Sequence, residues 1–219
     1  MIRILKSDEK YLGRTYGEWG AEWWNWLCSE DPDNTSGSDP IVFLRANLDY
    51  AGEGDGRRQT GRHFEHKLNI PKNSVAVFFP VIEAQFYIGH PYYYEPPYPA
   101  DKKERNRLIE TDEEMSYLLD KDLQDVTHLK AVINDIELTP VRARSPIFTF
   151  KVSEKNELRN KMQQGIIPAG EYHAITEGYW ILAILPTGNY KVHFEAARKE
   201  LFYSATYNIL IGENSMILI

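Results

Sequence analysis

From residue 126 to residue 211 the chain repeats one device: short apolar runs with a period of two, separated by turn residues. "VTHLKAVI" and "IELTPV" flank Asn134-Asp135. That pair predicts a two-residue hairpin turn, because Asn and Asp tolerate the backbone such turns need. "PIFTFKV" (146–152), "EYHAI" (171–175), "YWILAIL" (179–185), "YKVHFEA" (190–196) and "FYSATYNILI" (202–211) follow as further strands. Period two sends alternate side chains to opposite faces, so each run can bury one face and wet the other. Upstream, "IVFLRANL" (41–48) and "HFEHKLNI" (63–70) also read as strands. "SVAVFFPVI" (74–82) is apolar nearly throughout, as in a strand covered on both faces. "PKNSV", "PAGEY" and "PTGNY" each place Pro two positions before Asn or Gly, just ahead of a strand. Pro presets φ for a turn there, and Gly or Asn accepts the position that follows. Many strands with turns between them predict a mainly β fold: a β-sandwich, jelly-roll or Ig-like, with two flanking helices.

The first helix is Trp-rich and N-terminal. "TYGEWGAEWWNWL" (15–27) holds four of the chain's five tryptophans. Thr15 and Glu18 form a Thr-x-x-Glu capping box. At helical spacing Tyr16, Trp19, Gly20, Trp23, Trp24, Trp26 and Leu27 share one broad face, with Glu18, Glu22 and Asn25 opposite. "SEDPDNTSGSDP" (29–40) ends the helix. The second helix spans about 112–124, with Thr111 and Glu114 repeating the capping pattern and Met115, Leu118, Leu119 and Leu123 on one side. Between "SVAVFFPVI" and that helix lies "YIGHPYYYEPPYPADKK", which predicts an extended surface excursion at about 87–107 on a single domain of residues 1–219.

Composition narrows the partners. The net charge is −7, which repels phosphate backbones and anionic lipids, so neither nucleic acid nor a membrane is expected. Lys102, Lys103, Arg105 and Arg107 form a basic stretch, but Glu104 and Glu110 dilute it into a solvated surface. No apolar run reaches 18 residues, and the N-terminus lacks an apolar signal region. With one cysteine, Cys28, no intrachain disulfide forms. The expected location is cytoplasmic, or exported if the chain is a trimmed mature form.

The residues with chemical potential are few. Glu18, Glu22 and Glu83 are the candidate catalytic carboxylates: Glu18 and Glu22 are four apart on the helix, and Glu83 ends the buried "FFPVI". A shared cleft would make them an acid/base pair or a cation site; capping by Glu18 is the structural alternative. His63, Glu65 and His66 are the candidate metal ligands, although on a strand His63 and Glu65 share a face that His66 does not. Trp24, at the edge of the apolar helix face, and Tyr92, Tyr93, Tyr94 and Tyr98 in "HPYYYEPPYP" are the candidate ligand-binding residues, since exposed aromatic rings mark ligand and protein interfaces. There is no G-x-S-x-G elbow, P-loop or dinucleotide-binding motif, and no cofactor is required by the sequence.

Several phrases taken together carry a resemblance: "TYGEWGAEWWNW" (15–26), "NIPKNSVAVFFPVI" (69–82), "DVTHLKAVIND" (125–135), "RSPIFTF" (144–150), "EGYWILAILPTGNYKVHF" (177–194) and "ATYNILI" (205–211). In this order they resemble a family of archaeal and bacterial proteins, mostly exported. Its members begin with a Tyr-Gly-Glu-Trp…Trp-Trp-x-Trp helix and continue into a sandwich-like β region. The resemblance implies the same architecture and carries no activity to any residue. It implies a signal sequence and a cysteine pair in exported members, neither of which this chain shows.

The leading expectation is therefore a non-enzymatic binding protein for a carbohydrate, another neutral small molecule or a protein surface, using aromatic residues. The alternatives are a carboxylate- or metal-dependent hydrolase or lyase, and a structural assembly subunit. The expected partner is a small molecule or a protein, a second copy of the chain included.

Overall fold

The computed structural model describes residues 1–29, 41–46, 64–92, 107–155, 169–198 and 201–212. In chain order the elements are β1 (Arg3–Ile4), α1 (Tyr16–Leu27), β2 (Ile41–Phe43), β3 (Phe64–Ile70), β4 (Ser74–Tyr87), β5 (Pro91–Tyr92), β6 (Arg107–Leu108), α2 (Asp112–Gln124), β7 (Val126–Ile133), β8 (Ile136–Leu138), β9 (Val141–Arg144), β10 (Phe148–Val152), β11 (Gly170–Pro186), β12 (Gly188–Arg198) and β13 (Leu201–Ile211).

Two sheets pack face to face as a β-sandwich with two helices against it. The first has the order β1-β11-β4-β2. The long β11 pairs with β4 along one edge, while β10, β9 and β1 share its other edge in succession. The second sheet has the order β3-β13-β12-β7-β8. Most neighbours are antiparallel, but β2 runs parallel to β4 and β3 parallel to β13. At the β7–β8 turn both Asn134 and Asp135 take positive φ, 46° and 67°, as their residue types predicted.

Four apolar clusters among the described residues hold these layers, one of them formed by Cys28, Tyr87, Phe150, Val152 and Ala174. Between the sheets lie Val77, Phe79, Ile181 and Ala183 of the first and Ile133, Val192, Phe194, Ala205 and Ile209 of the second. Phe79 stacks on Phe194 at 4.7 Å. On the outer face of the first sheet, Tyr16, Trp19, Trp23 and Leu27 of α1 cover Phe78, Trp180 and Leu182. Burying each such side chain contributes about 1.5–3 kcal/mol, which makes α1 first of all a docking element. Met115, Leu118, Leu119 and Leu123 of α2 cover Ala84, Phe86 and Ile175. Strand β4 thus contacts protein on both faces, which is why its sequence shows no alternation.

The α1 helix starts where its capping box predicts. Glu18 N–H donates to Thr15 Oγ1, and the Thr15 backbone N–H donates to Glu18 Oε2 at 2.7 Å. It reaches the sheet through two glycines. A Cβ on Gly17 would lie 2.1 Å from the Arg144 carbonyl oxygen, and one on Gly20 would lie 3.0 Å from the Trp180 ring.

Several strand boundaries differ from the sequence pattern: β2 stops at Phe43, and β4 runs on to Tyr87, which places Glu83 inside the strand and not at its end. "EYHAI" and "YWILAIL" are one strand, β11, because each polar residue between them has a partner. Thr176 Oγ1 donates to the Ala84 carbonyl at 2.9 Å, and Glu177 accepts from Arg142 Nε and Arg144 Nε, each at 2.6 Å. "IELTPV" instead divides: Ile136–Leu138 stays with β7, while Val141 onward crosses to the first sheet as β9. The excursion expected at 87–107 begins and ends as paired backbone, with Pro91 opposite Leu108 and Tyr92 opposite Arg107. Residues 93–106 lie outside the described residues. Among the described residues no helix is long and apolar enough to cross a membrane.

Candidate functional site

A bulge decides where Glu83 points. In the β4–β11 register Ile82 faces Tyr179 and Pro80 faces Trp180, which leaves Val81 as an extra residue. Before it, Val75, Val77 and Phe79 face the other sheet. After it, Ile82 faces inward and Ala84 and Phe86 face α2, so Glu83 turns to the α1 side. Gly178 is its partner across the ladder and leaves room for it.

Trp24 and Cys28 of the α1 end stand over that position. The Trp24 indole N–H donates to Thr176 Oγ1 at 3.1 Å. Burial pushes the Glu83 carboxyl up to about 7; the charge of Arg198 pulls it down, Asp122 pushes it up, and the Trp24 N–H favours the ionised form. The residue is only partly covered as a whole, but its Oε2 is shut off from solvent and has no hydrogen-bond partner among the described residues. Burial first, and Glu83 second, push the Cys28 thiol up to about 12, so it is a protonated core thiol and no nucleophile.

The three candidate carboxylates have separate surroundings. Glu18 is engaged at the N-cap, and its backbone and hydroxyl bonds to Thr15 hold its carboxyl below the usual range. Glu22 pairs with Arg14 at 3.2 Å on the solvent side of the helix. Glu83 lies beneath Trp24, and its charged neighbours are Arg198 and Asp122. No shared cleft joins them among the described residues. Trp24 itself is half-buried, edge-on to Trp23 at 5.4 Å.

The candidate metal ligands also divide. His63 lies outside the described residues. Glu65 is on the outer face of β3, where it accepts from Asn208 Nδ2 at 2.7 Å, while His66 points inward and stacks on Tyr207 at 4.7 Å. No cluster of three His, Cys, Asp or Glu with metal-binding geometry occurs among the described residues. Of the tyrosines, Tyr92 contributes backbone pairing to β5, and Tyr93, Tyr94 and Tyr98 lie outside the described residues.

A further arrangement suited to binding lies on the outer face of the second sheet. Registers across β3, β13 and β12 align two rows of side chains. One row is Lys67, Asn208, Lys191; the next is Asn69, Leu210, Asn189. With Asn134 at the β7–β8 turn they line an open groove of about 540 Å³. Its rim is braced: Asn134 Nδ2 donates to the Asn189 carbonyl at 3.1 Å, and Asn134 Oδ1 accepts from Lys191 N–H at 2.7 Å. Farther along the same face, Glu195 sits between His128 Nε2 at 3.1 Å and His193 Nε2 at 3.2 Å, and His193 Nδ1 meets Thr206 Oγ1 at 2.9 Å. Burial opposes ionisation of Glu195, but its histidine hydrogen bonds and Lys130 outweigh that and hold its carboxyl below the usual range.

Sequence reasoning did not single out Lys67, Asn69, Asn189, Lys191 or Asn208. Each sits at an ordinary polar position of an alternating strand, and only the pairing of β3 with β13, 143 residues apart at Glu65 and Asn208, gathers them. Comparison with protein-family models, with curated proteins and with solved structures finds no match to this chain.

Proposed function

We propose that the protein is a non-enzymatic binding module that holds a carbohydrate along the open face of its second sheet. The observation that carries this reading is the pair of side-chain rows, Lys67–Asn208–Lys191 and Asn69–Leu210–Asn189, lining one groove. Amides both donate and accept, which suits the hydroxyls of a sugar, and exposed Leu210 offers an apolar patch between two of them. Rigid strands present these groups, so little ordering cost falls on binding. The separate surroundings of Glu18, Glu22 and Glu83 weigh against a carboxylate-based reaction as the first reading.

Titration calorimetry against a panel of soluble neutral and acidic polysaccharides tests this. At least one should bind, and an Asn69→Ala, Asn189→Ala double variant with unchanged melting should lose it. Loss of binding on replacing Tyr92, Tyr93 and Tyr94, with the asparagine variant unaffected, would move the site to the Tyr-rich stretch and overturn the reading.

A further inference from the structure

We infer that the ligand of this groove is an acidic polysaccharide, with carboxylates seated at Lys67 and Lys191 and a hydroxyl at Asn208 between them. The inference rests on the open-face reading and specifies its substrate class. The chain as a whole is acidic, with 32 Asp and Glu against 25 Lys and Arg. Yet the ten residues lining the groove include two lysines and no acid. The lining itself is thus positive on an acidic molecule, with the Glu65 carboxylate one row away held by Asn208, and such a patch favours an anion over the rest of the surface.

The geometry gives the two ammonium groups separate tasks. Lys67 pairs with Asn208 and Asn208 with Lys191, so the lysines stand two strand spacings apart, about 10 Å between Cα atoms. Both are exposed and stand on opposite sides of one amide. At that separation they are better placed to hold two successive anionic groups than to chelate one, although flexible stems let each adjust. Asn208 commits one Nδ2 hydrogen to Glu65, one row away, which leaves Oδ1 and the second N–H for a ligand. Together they suit a hydroxyl, which both donates and accepts, whereas a carboxylate can use the N–H alone. A chain of sugars bearing both hydroxyls and carboxylates meets all three positions. A neutral glycan brings no charge to the lysines, and a bare polyanion brings no donor to Asn208 Oδ1.

The test compares polygalacturonate with its methyl ester, a neutral polymer of the same backbone, by calorimetry at low and moderate salt. We expect the acid to bind at least about tenfold tighter than the ester, a difference of about 1.4 kcal/mol, and the advantage to shrink as salt rises. Lys67→Met with Lys191→Met should lower the acid to the level of the ester. Lys67→Arg with Lys191→Arg should keep the preference, which separates loss of charge from loss of fold. Equal binding of acid and ester, or a methionine variant that still prefers the acid, would overturn the inference while leaving the open-face reading in place. Binding of neutral glycans from the earlier panel without polygalacturonate would do the same. If no polysaccharide of either set binds, the open-face reading falls and this inference with it.

Discussion

Gly178 and Glu83 face each other across the β4–β11 ladder so closely that a Cβ on Gly178 would lie 2.7 Å from the Glu83 Cβ. It would also lie 2.7 Å from the Ile82 carbonyl oxygen, which is backbone and cannot turn aside. Gly178→Ala should therefore destabilise the protein by about 1–3 kcal/mol, the range for overpacking a well-filled interior. Urea denaturation checks this. A midpoint equal to that of the native chain would mean that the two central strands slide apart at no cost.

The carboxyl of Glu83 gives the fold a pH dependence. Its folded value is pushed up to about 7, chiefly by burial, while in the unfolded chain it titrates near the ordinary value of 4.5. Between those values the folded state holds a proton that the unfolded state has released, so stability falls as pH rises through the window and levels off above it. The fall is at most on the order of 3 kcal/mol. Glu83→Gln, which cannot ionise, should flatten this part of the profile. Melting temperatures from about pH 5 to about pH 8 read it out; an unchanged slope in the variant would place the titrating group elsewhere.

Trp24 bears on the same group. Trp24→Phe keeps most of the ring but removes the N–H that Thr176 Oγ1 accepts and that favours ionised Glu83. The variant should lose about 1 kcal/mol, the usual net value of one hydrogen bond. It should also move the midpoint of the pH profile upward. A lower stability with the midpoint unmoved would separate Trp24 from Glu83.

Cys28 should be silent toward alkylation in the folded protein. It is buried, and its thiol is pushed up to about 12 by burial and by Glu83. Iodoacetamide at about pH 8 should modify it only at the rate of local opening, and fully once the chain is unfolded in urea. Mass spectrometry follows both. Prompt labelling of folded protein would mean that the α1 end lifts freely from the sheet.

How much of this was legible in the sequence depends on distance along the chain. The Thr15–Glu18 box and the Asn134-Asp135 turn were legible because each is complete within four residues. The strands of the second sheet were legible from their alternation. The continuity of β11 was not, since "TEG" reads as a break until Ala84, Trp24, Arg142 and Arg144 are brought to Thr176 and Glu177. Nor was the direction of Glu83, because alternation counted from Phe79 sends it into the inter-sheet core. One extra residue at Val81 reverses the phase, and nothing local in "FFPVIEAQF" announces it. The groove was the least legible part, because a row of side chains across a sheet exists only once register is set.

The order of the second sheet also bears on how the chain comes to be folded. Strand β13 sits between β12 and β3, and among the described residues β3 has no other neighbour in that sheet. In the first sheet β4 waits for β11, which begins about a hundred residues later in the sequence. On a ribosome, then, the run Val75–Ile82 emerges long before its main partner, and the sheet that carries the groove stays in two pieces until residue 211 is clear of the exit tunnel. Contacts so far apart in sequence make for slow folding, and unpaired apolar strands invite aggregation in the interval. An apolar run that stays unpaired through so much of synthesis makes the nascent chain a natural client for a chaperone that binds extended apolar segments.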